Sequence, residues 1–268
     1  LDGTGWGPDG TAWGGEWLSL GGDLEWRRLA HLEPLPLVGG EAAVREPWRV
    51  AVAALRKWGE EALIASTPMA KQVDQARLAT MIQLATDTTW PLASGAGRVF
   101  EAAGALLGVG EVNRWEGEAA ARLEALATRA TRVSDRWPDL EIEDRDGSLL
   151  LPSSRLLVEV ARRVADGEAP ASVAAGFHAT FRHLAVDLTV KVGGGEGRVV
   201  ALGGGCAVNR ILSSGLADAL EELGFDVLLP RNVPPGDGGL SYGQAVVGAV
   251  AAARGVKPRQ VEIENSQQ

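Results

Sequence analysis

The chain has 268 residues, 46% of them hydrophobic, enough for a sizeable core without covalent staples. Its single cysteine, Cys206, cannot form an intrachain disulfide, and a reducing, cytoplasmic setting is expected. Thirty-five acidic against 26 basic residues give a formal charge of −9 with no basic block, which argues against nucleic-acid binding, and no run approaches the roughly 18–20 apolar residues of a membrane span.

The chain opens on Leu1-Asp2-Gly3-Thr4-Gly5, a turn with no strand and no charged-then-apolar leader in front of it, so a segment of a longer polypeptide is expected. Residues 1–40 read as turns and strands, with one strand over 26–32. After Gly39-Gly40 the spacing predicts a helix over 41–65 with Pro47 near a start, then another following Pro68 and running through Gln72, Leu78, Ile82 and Leu84. Residues 41–90 are thus expected to form a helical elaboration. Further helices are predicted over 98–107, 116–128, 153–166 and 171–187, the last entered through Pro170. Residues 134–147, with Asp144, Asp146 and Gly147, read as a loop or hairpin.

Residues 188–256 read as a carboxyl-terminal α/β part. It runs strand 198–202, glycine turn 203–205, helix 207–223, strand 225–229, turn 230–238 and helix 239–254. That order requires a crossover and hence a sheet with helices on its faces. The polar tail after Lys257 is expected to fray.

Gly203-Gly204-Gly205 lies between a strand and a helix, where missing side chains admit a ligand to the backbone and a helix N-terminus presents unpaired N–H groups. It matches neither a P-loop nor a dinucleotide fingerprint, and it can equally relieve crowding at a sheet end. Asn209 can cap the helix or meet a ligand. Asp2-Gly3-Thr4-Gly5 offers a carboxylate and a hydroxyl suited to a cation or a phosphate, although Asp-Gly pairs are also ordinary turn formers. Asp237, ahead of the last helix, reads either as a stabilising charge at the helix start or as a metal ligand.

Other residues carry less. Cys206 has no adjacent histidine to activate it and reads as a small buried hydrophobe. His178 and His183 are five apart in one helix and diverge in direction, with His31 remote, so a three-histidine site is not expected. Of nine tryptophans, Trp6, Trp13 and Trp17 fall near the first glycine turn, and core packing is their expected role.

Several motifs then occur in one order: Asp2-Gly3-Thr4-Gly5 through Trp13-Gly14-Gly15-Glu16, Arg45-Glu46-Pro47-Trp48-Arg49, residues 93–100 (Ala-Ser-Gly-Ala-Gly-Arg-Val-Phe), Glu116-Gly117-Glu118-Ala119-Ala120, and segments 203–210 and 234–244. Over almost the whole chain they resemble the Kae1-like carboxyl-terminal domain of the HypF hydrogenase-maturation carbamoyltransferases. The resemblance implies an α/β actin-like ATPase fold, the ribonuclease-H-like ASKHA class, incomplete at its amino-terminal end and carrying the helical insertion. It also implies an ATP-dependent parent enzyme. Carbamoyl phosphate and ATP would give carbamoyl-adenylate, and this domain would pass the carbamoyl group to the carboxyl-terminal cysteine thiolate of a partner, HypE, for nickel-iron hydrogenase cyanide synthesis.

By motif, the resemblance sets Asp2, Gly3, Thr4 and Gly5 at the adenylate phosphate and carbamoyl group. Ser94, Gly97, Glu116 and Gly117 would stand around the ribose, Gly203, Gly204, Gly205 and Asn209 on the adenosine side, and Asp237 at a divalent metal, whether iron, zinc or magnesium. The family's histidine-rich metal motif stands before the Asp-Gly-Thr-Gly turn and has no match here. Ala93 and Trp115 replace the family's usual threonine or serine and its usual tyrosine. Small-molecule O-carbamoyl transfer, a sugar-kinase-like or regulatory ATPase and a non-catalytic nucleotide-binding module are the alternatives on the same fold.

Overall fold

The computed structural model describes residues 1–22, 25–131, 137, 140–145, 147–193 and 198–255. Short strands come first: β1 (Gly5–Trp6), β2 (Ala12–Trp13), β3 (Glu16–Leu20), β4 (Trp26–Leu32) and β5 (Leu35–Pro36). The strand expected over 26–32 is β4 itself. A single helix over 41–65 does not form; α1 (Glu41–Arg45) and α2 (Trp48–Lys57) are separated at Pro47, followed by a 3-10 turn at Glu61–Ser66. The cause is local: a residue before proline is driven out of helical geometry, and Glu46 sits at φ −119°, ψ 78°. Past Pro68 the chain makes a 3-10 turn before α3 (Gln75–Leu84), whose N-terminus is capped by Asp74 through a 3.0 Å bond from Arg77 N–H.

The remaining elements are β6 (Leu92–Ala93), α4 (Ala96–Leu106), α5 (Glu118–Ala127), β7 (Glu143–Arg145), β8 (Ser148–Leu151), α6 (Ser153–Ala165), α7 (Pro170–Val192), β9 (Val199–Ala201), α8 (Arg210–Glu222), β10 (Asp226–Leu228) and α9 (Leu240–Ala253). Of 134–147, read as a loop or hairpin, the described portion holds β7, which pairs antiparallel with β8 just beyond that range, while Asp146 and the tail after Lys257 lie outside the described residues. α7 runs five residues past the predicted end, and 3-10 turns at Gly205–Val208 and Asp237–Gly239 precede α8 and α9.

The strands form three sheets in the orders β1-β2-β6-β5, β3-β4-β8-β7 and β10-β9, with parallel pairs at β2–β6, β4–β8 and β9–β10. The parallel β9–β10 pair with α8 between them is the crossover unit that the alternating pattern requires. α2, α4, α6 and α7 carry the core, in which Phe100 meets Phe177 and Phe181 edge-on at 5.0 and 4.9 Å. Glu33, 1% exposed, ties the end of β4 to α2 and α6: it accepts from Lys57 and from the backbone N–H (2.9 Å) and hydroxyl (2.5 Å) of Ser154. Burial alone would raise its pKa, yet those donors hold the carboxyl below its ordinary value.

Core packing of the tryptophans holds for Trp48 and Trp137 but not for Trp6, which is 82% exposed. A bend at Gly7-Pro8-Asp9-Gly10 carries it outward on the short β1. Among the described residues no helix is long and apolar enough to cross a membrane.

Candidate functional site

A cavity of about 320 Å³ opens between the α4–α5 helices and the carboxyl-terminal α/β unit. One wall is the Asp2–Gly3 turn laid against the start of α4. Gly97 makes that approach feasible, since a Cβ there would fall 2.8 Å from Gly3 Cα. Backbone bonds fix the contact: Gly97 N–H donates to Asp2 O at 2.9 Å, and Asp2 N–H to Gly14 O at 2.6 Å.

A second wall is the loop entering α5, with Trp115, Glu116 and Gly117. Glu118 shapes that loop by accepting from the Arg114 backbone (2.7 Å) and side chain (2.6 Å) and from Arg122 (2.7 Å). The side-chain bond from Arg114, then its backbone N–H, hold this carboxyl at about 2.

The third wall is the turn ahead of α8. Gly204 has φ 90°, and a Cβ on it would come 2.2 Å from Leu1 O. Cys206 N–H donates to that same carbonyl at 3.0 Å, joining the two glycine turns. Asn209 takes the capping role: its Oδ1 caps α8 by accepting from Leu212 N–H at 3.0 Å, and the residue lines the cavity. Its Nδ2 meets His178 Nε2 at 3.1 Å, and burial lowers that imidazole's pKa to about 4. Burial pushes the Cys206 thiol up to about 12, so it stays protonated at neutral pH and is no nucleophile there.

Asp2, Gly3, Gly97, Glu116, Gly117, Gly205, Asn209 and Asp237 thus meet around one cavity. Gly203 and Gly204 support it from the turn behind. Thr4 and Gly5 are exposed and outside its lining. Ser94 also stands apart: its hydroxyl donates to Glu16, whose other oxygen accepts from Gly14 and Gly15 N–H, both at 2.6 Å, while Arg28 binds Glu16 at 2.9 Å. Ser94 therefore braces the glycine turn behind Asp2.

Asp237 stands in the first turn of the 3-10 segment that leads into α9, where a negative charge suits the helix start, and it also lines the cavity, although no side-chain bond caps α9 itself. Among the described residues no three His, Cys, Asp or Glu side chains stand close enough to hold a metal.

Pattern reading passed over Phe100, Arg98 and Glu101 on the cavity floor. Arg98 and Glu101 are 3% and 1% exposed and form an ion pair at 2.9 Å. Burial, opposed by Arg98, raises the Glu101 carboxyl to about 7. Arg98 and Phe100 fall within the 93–100 motif, but the pairing of Arg98 with Glu101 shows in the sequence only as opposite charges at i, i+3 in an otherwise small and apolar helix.

Residues 1–244 match the family described as carbamoyltransferase, Kae1-like domain, second subdomain. The chain is 41% identical over 273 residues to the carbamoyltransferase HypF homolog of Cupriavidus necator, covering 97% of this chain and 66% of that protein. It is 40% identical over 246 residues to carbamoyltransferase HypF of Rhizobium leguminosarum, covering 91% of this chain and 30% of that protein. A crystal structure of full-length HypF in a phosphate- and nucleotide-bound form superposes with a TM-score of 0.84 at 30% identity over 96% of this chain and 40% of that one. T. kodakarensis HypF gives 0.79 at 30% identity over 95% and 34%. The chain therefore spans from about a third to two thirds of the length of these relatives, and its fold is theirs, the expected α/β actin-like architecture.

Proposed function

The chain belongs to the HypF carbamoyltransferase family, and on that premise we propose that its cavity binds carbamoyl-adenylate and presents the carbamoyl carbon to a thiolate supplied by another protein. The observation that carries this reading is the convergence of Asp2–Gly3, Gly97, Glu116–Gly117, Gly205, Asn209 and Asp237 around one cavity. Small residues there let a ligand approach backbone N–H groups, and Asn209, capping α8, holds the start of that helix against the cavity. A full-length HypF relative is known in a phosphate- and nucleotide-bound form, in keeping with a nucleotide ligand.

In the proposed step a sulfur–carbon bond forms at the carbamoyl carbonyl, the bond from that carbon to the phosphate oxygen breaks, and AMP leaves with the electron pair. This chain's own cysteine does not supply the sulfur, since burial keeps Cys206 a thiol. The acceptor proposed is the carboxyl-terminal cysteine of HypE, and the product feeds cyanide-ligand synthesis. The residues here bind and orient.

Titrating AMP into the chain tests the cavity. Gly97→Val, which forces α4 off the Asp2–Gly3 turn, should weaken binding at least about tenfold while the far-UV spectrum stays folded. Unchanged affinity would move the site elsewhere. Incubating the longer parent protein with HypE, ATP and labelled carbamoyl phosphate tests the acceptor, and label on a small-molecule hydroxyl in place of the terminal thiol would replace it.

A further inference from the structure

We propose that Arg98 is the group through which the cavity grips the anionic part of its ligand, so that the site discriminates a phosphorylated nucleoside from the free one. This rests on the cavity being a nucleotide site.

Arg98 is the one cationic side chain among the described residues that line the cavity, against the acidic Asp2, Glu101, Glu116, Glu124 and Asp237. The guanidinium lies directly against the Asp2–Gly3 turn, where a Cβ at Gly3 would stand 3.1 Å from Nη2. Only part of it is used within the chain: Nη2 donates to Glu101 at 3.0 Å, while Nε and Nη1 are buried without a hydrogen-bond partner.

Unpaired N–H groups on a charged side chain only 3% exposed are costly to leave without a partner. A carboxylate or a phosphoryl oxygen is the partner the guanidinium fork is shaped to take. Glu101 does not use up that capacity, because it engages Nη2 alone. The geometry thus supplies a held charge with spare donors, next to the turn that Gly3 and Gly97 leave open.

The experiment compares AMP with adenosine on the whole chain. Arg98→Gln alone would strand Glu101, so Glu101→Gln is the reference, and Arg98→Gln/Glu101→Gln removes both charges together. Wild type and Glu101→Gln should bind AMP more tightly than adenosine, and the double variant should lose that preference by roughly 10- to 100-fold. A preference retained in the folded double variant would show that Arg98 only supports the floor, leaving the nucleotide site intact. Adenosine binding as tight as AMP in wild type would also overturn the assignment. Failure of both ligands to bind wild type would remove the nucleotide reading and the role of Arg98 with it.

Discussion

His178 and Glu101 titrate in opposite senses within one folded core, and the difference can be measured. His178, 1% exposed on α7, has Nδ1 2.8 Å from Ala174 O and Nε2 facing the Asn209 amide. An amide donor at Nε2 sets the ring proton on Nδ1, where it donates to the carbonyl. Its native pKa of about 4 lies below the ordinary 6.5, so the unfolded chain binds that proton first. Stability from this residue is complete above about 6.5 and falls as pH drops toward 4, by about 3 kcal/mol at full extent. Glu101 is raised from 4.5 to about 7, so unfolding releases its proton and its contribution falls as pH rises through that window. Between about pH 4.5 and 6.5 the two oppose. Urea melts should therefore show stability dropping more steeply on acidification for Glu101→Gln than for wild type, because the opposing group is gone. Parallel slopes in the two proteins would mean that Glu101 titrates as an ordinary exposed carboxylate.

At the scale of elements, α3 separates stability from the site. Its N-terminus depends on Asp74, and Asp74→Ala should cost about 1 kcal/mol in a urea melt while AMP affinity stays as in wild type, since α3 contributes nothing to the cavity lining. A matching loss of affinity would instead couple the 41–90 helices to ligand binding. The helical character of 41–90 was legible in the sequence because apolar spacing is a local signal, but its division was not: Pro47 splits the run expected over 41–65, and Asp74 sets the start of α3. β8 was missed because Leu149-Leu150-Leu151 has no alternation, and such a short apolar run reads equally as the approach to α6. The glycine turns were legible as turns, and their convergence came from the ordered motifs. Arg98 and Glu101 were not, because the i, i+3 spacing of a charged pair is the same on an exposed helix face as on a buried one. What buries them is the Asp2–Gly3 turn and α5, both distant in sequence. Ser94 fails for the converse reason: its motif is real, but Glu16 and Arg28 draw its hydroxyl away from the cavity.

Taken as a whole, the molecule divides its stability unevenly around the site. α7 is buried along most of its length, whereas α9 buries no residue and exposes Leu240, Tyr242, Val246 and Val247 despite its apolar sequence. The two sides of the cavity are joined by few bonds, chiefly Cys206 N–H to Leu1 O at 3.0 Å, Arg210 N–H to Glu124 at 2.8 Å, and Asn209 to His178. Amide exchange should accordingly be slowest in α7 and fastest, among the long helices, in α9, where opening costs little burial. A ligand that bridges the cavity adds binding energy to both sides together: at a hundredfold excess over Kd the native state gains about 2.7 kcal/mol. That gain should appear as slower exchange in residues 97–101, 115–121 and 205–209 in the same titration, while α3 is unchanged. Protection confined to the helical side, with 205–209 exchanging as before, would place the nucleotide on one wall only and break the convergence on which the proposed transfer depends.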